Sequence, residues 1–314
     1  MCAATKQIRD FDSFYEFISY FDTEQKCIDH LIQWRWNGEP RCPYCDSSNV
    51  NSLKGKTARF KCYGCRKQFS ARVGTIFHDS KLPLRKWFIA IFIFTAHKRG
   101  ISSHQLSRDL KITQKTAWFV LHRIREVFAQ DAPTFLNPVE IDETYIGGKE
   151  KNKHKNKRTA NNQGRSTKTK TPVVGIIERG GKVYALPVVK TDAKTIAGIV
   201  NSTVATGTKI YTDEYRPYNA LNKSYERLVV NHGAGEYVNG EAHTNNIENF
   251  WSHFKRTIVG TYFHTSNHHL ESYVNEFTYR YNNRILSDGS RFDITLANAE
   301  KRLTYKQLIG RRAS

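Results

Sequence analysis

Two closely spaced pairs of cysteines place the strongest constraint on the fold of this chain. Cys42 and Cys45 form one C-x-x-C pair, Cys62 and Cys65 form a second, and sixteen residues separate the pairs. Four thiolates at this spacing can close a tetrahedral Zn²⁺ site that keeps no open position, which is typical of a structural site. We therefore predict a structural zinc ribbon over residues 40–78. A redox-active cysteine pair is the alternative, and two such knuckles with Pro and Gly between the thiols argue against it.

The net charge indicates which class of molecule this chain binds. The chain has 314 residues, with 49 Lys and Arg against 29 Asp and Glu, a net charge of +20 and a pI of about 9.7. Such an excess favours a polyanionic partner, and nucleic acid before a membrane surface. No apolar run approaches the length of a membrane span, and the N-terminal residues do not read as a secretory signal. We expect an intracellular protein that binds double-stranded DNA.

A helical stretch follows the predicted ribbon. Residues 102–110 and 114–128 have helical spacing, and three residues separate them, which is the helix-turn-helix layout. Thr113 is the expected N-cap of the second helix. Other helical bundles contain such turns, so DNA binding by this segment rests on the net charge as well. The polar residues of the second helix that could face DNA are Lys115, Thr116, His122, Arg123 and Arg125.

The pattern changes after Pro133 to alternating strands and helices. The predicted order is a strand, a two-stranded hairpin, a helix, a strand, a short helix, a strand and a helix, which is the order of a ribonuclease H-like fold. The predicted ranges are 138–146, 172–178 with 182–189, 193–204, 209–212, 218–221, 226–230 and a helix from residue 245. Residues 268–282 and 296–308 are expected to complete the chain as helices.

These elements define four predicted segments and an α/β (α+β) fold class. A helical cap (1–39) precedes the zinc ribbon (40–78), and the helix-turn-helix segment (79–132) precedes a ribonuclease H-like catalytic domain (133–314).

Three acidic residues occupy positions that suit a metal site in the last of these segments. Asp142 and Asp213 each end a strand-like run, and Glu248 lies near the start of an amphipathic helix. Lys255 follows Glu248 by seven residues, almost two turns, so the two side chains share one edge of that helix. The first and fourth strands of such folds are neighbours, which would bring the aspartates together. Carboxylates suit Mg²⁺ or Mn²⁺, and two such ions can promote phosphoryl transfer.

Each acid also has a structural explanation. Glu248 follows Asn245 by three residues, the spacing of a capping box, so it could serve only to close the start of the helix. Glu143 and Glu214 are neighbours of the aspartates and could be the ligands in their place. Because side chains alternate along a strand, only one of Asp142 and Glu143 can face the site.

A strongly basic stretch lies between the first two predicted strands of this domain. Residues 149–170 contain nine Lys or Arg and one Glu. We expect a loop that binds DNA phosphates, and a merely solvated hairpin tip is the alternative. The residues predicted to contact DNA here are Lys151, Lys153, Lys155, Lys157 and Arg158.

Several motifs over about residues 25–285 are shared with a known family. They are Cys42-Pro-Tyr-Cys45, Cys62-Tyr-Gly-Cys65-Arg-Lys-Gln-Phe-Ser70, Val139-Glu-Ile-Asp-Glu-Thr-Tyr-Ile-Gly-Gly148, Tyr211-Thr-Asp-Glu-Tyr215, His243-Thr-Asn-Asn-Ile-Glu248, Phe250-Trp-Ser252, Lys255-Arg256, Gly260-Thr-Tyr262 and Glu276-Phe-Thr-Tyr-Arg-Tyr-Asn282. In these motifs the chain resembles the Merlin-like insertion-sequence transposases, which join a zinc ribbon to a DDE-type catalytic domain.

The resemblance implies a function and a set of residue roles. It implies that Asp142, Asp213 and Glu248 bind the catalytic Mg²⁺ or Mn²⁺ ions and that Lys255 contacts DNA beside them. Relatives vary at the third acidic position, so Asn245 or His243 could share the role of Glu248. The implied reaction is cleavage at terminal inverted repeats followed by attack of the 3′-hydroxyls on target DNA. A homo-oligomer is expected because two ends must be paired.

Two other functions compete with this interpretation. A DNA-binding protein without catalysis would keep the ribbon, the helix-turn-helix and the charge, but would lose an acid, whereas here the three acids and the lysine are all in place. A nuclease of the same fold that cuts without strand transfer would have less use for two modules suited to recognising one particular DNA end.

Overall fold

The computed structural model describes residues 11–53, 55, 59–129, 131–148, 152–159, 166–231, 233, 238 and 240–310. These residues form two compact units, one containing those before Ala129 and after Arg284, and the other those from Ala129 to Arg284. None of the helices in these ranges is both long enough and apolar enough to cross a membrane.

The elements are as follows in chain order. The strands are β1 (Val50–Leu53), β2 (Arg59–Cys62), β3 (Gln68–Ser70), β4 (Val139–Gly147), β5 (Lys170–Glu178), β6 (Val183–Pro187), β7 (Lys209–Asp213) and β8 (Glu226–Val230). The α-helices are α1 (Phe14–Tyr20), α2 (Glu24–Trp36), α3 (Leu84–Ala96), α4 (Ser103–Leu110), α5 (Gln114–Glu126), α6 (Ala193–Thr203), α7 (Asn245–Thr257), α8 (Leu270–Asn282), α9 (Asp288–Ala297) and α10 (Tyr305–Leu308). A 3₁₀ helix spans Arg216–Lys223 and a π-helix spans Ile258–Tyr262.

The ribbon of the first unit is a small antiparallel sheet in the order β1-β2-β3. Phe60 of β2 lies opposite Phe69 of β3, and Trp36 at the end of α2 packs edge-on against both rings. This cluster is small, so the sheet has little apolar surface to bury. A sheet of this size usually needs a metal to be stable.

The predicted helix-turn-helix is confirmed as a local structure. Helix α4 ends at Leu110, Lys111 adopts a left-handed conformation with φ of 49°, and the hydroxyl of Thr113 accepts a hydrogen bond from the backbone N–H of Thr116. Thr113 is therefore the N-cap of α5, as its position before the apolar repeat predicted.

The last part of the chain differs from the prediction. The single helix expected over 296–308 is wrong, since α9 ends at Ala297 and α10 begins at Tyr305. The two helices also belong to the first unit, whereas the sequence had suggested one domain over 133–314. The physical reason is Phe292 of α9, whose ring lies 4.9 Å from that of Phe17 and 5.4 Å from that of Phe88 in an aromatic core.

The second unit is built on a five-stranded sheet in the order β6-β5-β4-β7-β8. Strands β4, β5 and β6 are antiparallel neighbours, while β7 lies parallel to β4 and β8 parallel to β7. This order and these directions are those of a ribonuclease H-like sheet, so the predicted fold class is confirmed.

Apolar residues cover both faces of this sheet. Helix α6 and the 3₁₀ helix pack on one face over residues such as Ile141 and Ile176. Helices α7 and α8 pack on the other face over Val173 and Ile177.

Helix α7 approaches the sheet closely at Gly175. A Cβ atom built on this glycine would lie 2.4 Å from Cζ2 of Trp251, so any larger residue would force the helix away from the sheet. Gly175 also pairs with Asp142 across the β4–β5 ladder. The position of α7 is therefore set beside the predicted catalytic strand.

Candidate active site

The two predicted catalytic aspartates lie side by side on the sheet. In the parallel ladder, Val139 pairs with Ile210 and Glu140 with Tyr211. Continuing this register by two residues places Asp142 beside Asp213. Both belong to the strand face on which α7 packs, since side chains alternate and Tyr211 faces Ala242 just before that helix.

Glu248 completes the group from the first turns of α7. Its carboxylate is solvent-exposed and accepts a hydrogen bond from the hydroxyl of Thr244, with an O···O distance of 2.7 Å. Thr244 occupies the N-cap position and Asn245 is the first helical residue. The predicted alternative, a capping box between Asn245 and Glu248, is therefore not formed.

The acids form one electrostatic cluster. Burial is the largest reason that the pKa of the Asp142 carboxyl lies well above its usual range. The negative charges of Glu143, Asp213 and Glu248 raise that pKa further, in this order. Carboxylates crowded in this way repel one another unless a cation neutralises them, and oxygen ligands of this kind suit Mg²⁺ or Mn²⁺. The donor atoms are thus of the kind that a divalent metal prefers. The structure does not bring an oxygen of each of the three carboxylates within 4.8 Å of the others, a distance that the sulfurs of the four C-x-x-C cysteines do meet.

The neighbouring acids have other contacts. Glu143 is buried, and the hydroxyl of Tyr218 donates a hydrogen bond to it at 2.7 Å. It thus faces the layer of α6 and the 3₁₀ helix, opposite to Asp142. Glu214 is exposed and accepts a hydrogen bond from the backbone N–H of Gly233. These positions favour Asp142 and Asp213 over their neighbours, while the catalytic roles themselves stay predictions.

Lys255 lies two turns along α7 from Glu248. Burial lowers the pKa of its ammonium group, the negative charge of Asp142 raises that pKa, and the positive charge of Lys170 lowers it. The ammonium group of Lys255 therefore lies near both the Asp142 carboxylate and the Lys170 ammonium group.

Glu140 is a residue of this site that we did not single out from the sequence. It is completely buried, and its carboxylate accepts hydrogen bonds from the backbone N–H groups of Asn246 and Ile247, at 2.9 and 3.2 Å. Arg179 donates to the same carboxylate at 3.1 Å. His243 Nδ1 lies 3.2 Å from it, at an angle that makes no hydrogen bond.

These contacts make Glu140 the acceptor for the free N–H groups at the start of α7. A negative charge is favourable there because helix N-termini carry unpaired N–H groups and a partial positive charge. Glu140 also shares a strand face with Asp142, two residues away. It thus links the strand that carries one acid to the helix that carries another. The alternation in Val139-Glu140-Ile141-Asp142 contains this signal, since it places both acids on one face.

We expect replacement of Glu140 by alanine to weaken both fold and activity. It would leave Arg179 and the start of α7 without their buried acceptor, a change that typically costs about 3–5 kcal/mol. If the acids hold catalytic metal ions, as the resemblance implies, DNA nicking should fall by roughly 10- to 100-fold at temperatures where the variant is still folded, as for other residues that orient a metal ligand.

Thermal unfolding and nicking should be measured together, with Glu226→Ala as the control. Glu226 is an exposed acid of β8 that faces Lys209, 3.6 Å away. Unchanged nicking by folded Glu140→Ala would refute a positioning role.

The four cysteines of the two C-x-x-C pairs converge on one point. Their sulfur atoms all lie within 4.8 Å of one another, and the Cys42–Cys65 and Cys45–Cys62 pairs are both 3.6 Å apart. Zn–S bonds of about 2.3 Å in a tetrahedron place sulfurs about 3.8 Å apart. The arrangement fits a structural zinc ion, as the spacing predicted.

The predicted DNA contacts divide into exposed and buried groups. Lys115 at the start of α5 is exposed, with its ammonium 5.1 Å from the ring centre of Tyr305. Lys155, Lys157 and Arg158 are exposed, Lys153 is half-buried, and Lys151 lies outside the described residues.

The structure contradicts the prediction that Arg123 faces DNA. It is 4% exposed, and its guanidinium donates hydrogen bonds to the backbone carbonyls of Leu303 and Ile76 at 3.0 and 2.9 Å. Arg123 thus ties the C-terminal segment to the core of the first unit and is not available to DNA. His122 and Arg125 are also buried. Helical spacing showed the three residues on α5 but not which side of that helix the core covers.

Comparison with known proteins gives two family matches. Residues 134–282 match the ISXO2-like transposase domain, and residues 22–68 match the transposase zinc-ribbon domain. An uncharacterized protein in transposable element ISH50 of Halobacterium salinarum is 29% identical over 252 residues, covering 77% of this chain and 85% of that protein. An uncharacterized transposase-like protein of Haemophilus influenzae is 30% identical over 103 residues, covering 32% of this chain and 82% of that protein.

Among solved structures, the crystal structure of a pre-cleavage Mos1 transpososome matches at 10% identity. The match covers 65% of this chain and 75% of that chain, with a TM-score of 0.19, which is too low to support an argument about fold or function.

Proposed function

This chain belongs to the ISXO2-like transposases of insertion sequences, and from that premise we propose that it cuts DNA at terminal inverted repeats and joins the 3′-ends to target DNA. The observation that carries the proposal is the placement of Asp142 and Asp213 in neighbouring positions of two parallel strands, with Glu248 on the helix that packs against the same sheet. Three carboxylates in this arrangement suit a site for two divalent cations.

In this proposal the acids hold Mg²⁺ or Mn²⁺ and the protein supplies the geometry. Bound cations of this kind lower the pKa of an attacking water or 3′-hydroxyl and stabilise the leaving oxygen. Asp142 and Asp213 present their oxygens from a rigid sheet, and Glu248 presents its own from a helix fixed by Glu140. Lys255 would pair with a DNA phosphate oxygen near the active site, since the charges of both Asp142 and Lys170 act on its ammonium group.

The remaining modules supply recognition in this proposal. Zn²⁺ would hold the ribbon through Cys42, Cys45, Cys62 and Cys65. Lys115 would contact DNA from the helix-turn-helix. The predicted phosphate contacts of Lys151, Lys153, Lys155, Lys157 and Arg158 remain part of the proposal. Two copies of the chain would act together, because an element has two ends to be cut and joined.

The test is cleavage of a labelled duplex that carries the element's own terminal repeat, with Mg²⁺, with Mn²⁺ and with a chelator. We expect metal-dependent release of a 3′-hydroxyl at the repeat end and its transfer to a target plasmid. Binding without cleavage under every metal condition would refute catalysis and leave a DNA-binding protein. Cleavage without joining would leave a nuclease.

The acid cluster also predicts a pH-dependent stability of the metal-free protein. The pKa of the Asp142 carboxyl is raised above its ordinary value of 3.8 in the folded protein. Below that value the carboxyl is protonated in both the folded and the unfolded state, and it does not destabilise the fold. As the pH rises through the folded-state pKa, ionisation of this buried carboxyl lowers the free energy of unfolding. Asp142→Asn should therefore match the wild type in acid and exceed its Tm at neutral pH. Each kcal/mol of repulsion removed is worth about 2–4 °C in a domain of this size.

Thermal unfolding at several pH values, with and without Mg²⁺, checks this prediction. Added Mg²⁺ should stabilise the wild type by binding and leave Asp142→Asn unchanged. An Asp142→Asn variant that is less stable than the wild type at neutral pH without metal would contradict the repulsion argument.

A further inference from the structure

The turn after the π-helix holds a phenylalanine in an unusual conformation. Phe263 has φ of 61° and ψ of −48°, and the N–H of His264 donates a hydrogen bond to the carbonyl of Tyr262 at 2.7 Å. These values describe a γ-turn of the strained type, which is rare for any residue except glycine. The phenylalanine ring is also 82% exposed. Packing among the residues that the structure describes therefore explains neither the backbone conformation of Phe263 nor the position of its side chain.

The preceding aromatic residue, Tyr262, differs from Phe263 because it packs against other residues of this unit. Tyr262 packs against the ring of Tyr273 with centroids 4.8 Å apart, and its hydroxyl donates a hydrogen bond to buried Glu276. Tyr262 thus fixes the end of the π-helix to α8. The γ-turn then directs the next side chain, Phe263, away from that core. Strained residues and π-helical turns are concentrated at functional sites.

Phe263 stands at the edge of a cleft that also contains two lysines. The cleft has a volume of about 340 Å³, within the range of ligand pockets, and its lining includes Tyr145, Gly148, Lys170, Lys255, Val259 and Phe263. Lys170 lies close enough to Lys255 for its positive charge to lower the pKa of the Lys255 ammonium group. Two ammonium groups beside an exposed aromatic ring match a phosphate and a base, the two parts of a nucleotide.

The cleft lies a short distance from the acid cluster along both elements that reach it. Lys255 is seven residues from Glu248 on α7, about 10 Å along the helix axis. Tyr145 is three residues from Asp142 on β4, also about 10 Å along the strand. Successive phosphates of one strand of stacked DNA are about 3.4 Å apart along the helix axis and farther apart where bases are unstacked, so this distance corresponds to at most about three nucleotides.

We infer that this cleft binds one unstacked nucleotide of the DNA strand, within about three positions of the cleaved phosphate, with its base on Phe263 and its phosphate on Lys170 and Lys255. The inference rests on the proposed function and names a part of its substrate. The cleft combines an exposed phenylalanine ring with two cations, whereas a surface for another protein would offer a wider apolar patch.

The experiment uses the full chain and a duplex of the terminal repeat with 2-aminopurine at each of the six positions nearest the cut. This base analogue becomes brighter when it leaves the stack. We expect the wild type to brighten one position and Phe263→Ala to brighten none. Phe263→Ala should bind the duplex roughly 5- to 150-fold more weakly, the range for loss of one base-stacking contact. Phe263→Tyr should keep the affinity.

Removing the base itself gives an independent test. With an abasic nucleotide at the responding position, Phe263→Ala should bind as tightly as the wild type, because the contact is already absent. Lys170→Ala should reduce the slope of log Kd against log salt by about 0.9, the value for one phosphate contact. Tyr15→Ala, which removes a 78% exposed aromatic ring in the other unit, is the matched control and should change neither measurement.

The outcomes separate this inference from the proposed function. Metal-dependent nicking by the wild type without brightening at any of the positions would overturn the nucleotide cleft and leave the transposase proposal intact. Brightening that depends on Phe263 without nicking under any metal would support the cleft and refute catalysis. Phe263→Gly, which relieves the backbone strain, keeps the test valid if Phe263→Ala folds poorly.

Discussion

Replacing Asp213 with alanine is expected to abolish metal-dependent nicking while leaving DNA binding intact. Asp213 ends β7 in register with Asp142 on β4, so it supplies one of two neighbouring sheet-borne carboxylates. Loss of a residue that merely supports a metal ligand typically reduces activity 10- to 100-fold, and loss of a ligand itself should exceed about 100-fold. Electrophoresis of the labelled terminal duplex measures nicking, and fluorescence anisotropy of the same duplex measures binding.

The Glu214→Ala variant is the matched control for the Asp213→Ala variant. Glu214 is the next residue in the chain, but it is exposed and accepts its hydrogen bond from Gly233. We expect Glu214→Ala to nick at close to the wild-type rate. If it loses activity while Asp213→Ala keeps it, the assignment of the metal ligand is wrong by one residue. If both variants nick normally, the acid cluster is not the catalytic site.

Removal of zinc is expected to unfold the ribbon and to weaken binding to the terminal repeat. The β1–β3 sheet buries only a small cluster around Phe60 and Phe69, so most of its stability must come from the ion. Structural zinc in small peptides supplies on the order of 10 kcal/mol of apparent folding free energy. Cys62→Ser should therefore lose its zinc. It should also bind the repeat more weakly, at the affinity of the wild type treated with a chelator.

Zinc content by mass spectrometry and binding by anisotropy check this prediction. The wild type should hold one zinc per chain, and so should Cys27→Ala, because Cys27 is buried in α2 away from the four-cysteine cluster. A Cys62→Ser protein that retains one zinc per chain would contradict the assigned ligand set. Zinc loss without any loss of affinity for the repeat would show that the ribbon does not contribute to end recognition.

Much of the fold could be predicted because local patterns agreed with the final packing. The C-x-x-C pairs specify the ribbon, and Thr113 marks the start of α5 by a capping preference that acts within one turn. The alternating and helical periods of residues 138–257 specify the ribonuclease H-like order. The positions of Asp142 and Asp213 follow from that order, because neighbouring parallel strands bring their ends together.

The features that sequence reasoning missed depend on contacts between distant residues. Helical spacing places Arg123 on α5, but only the carbonyls of Leu303 and Ile76 show that it faces inward. Strand alternation places Glu140 on the same face as Asp142, but only the hydrogen bond from Asn246, more than a hundred residues later, shows that it holds the start of α7. The strained turn at Phe263 has no signature in the sequence, since nothing local predicts a positive φ for phenylalanine.

The position of Phe292 near the end of the chain affects the order in which the two units can fold during translation. The aromatic core around Phe17 and Phe88 includes a residue that the ribosome adds only after every residue of the second unit. The second unit is contiguous in the chain and can fold as it emerges from the ribosome. The first unit cannot complete its aromatic core until Phe292 has been synthesised. A nascent chain released before Phe292 would thus carry the cysteine cluster and α5 beside an incomplete core. Early termination should therefore yield protein that is quickly degraded rather than a stable DNA-binding competitor.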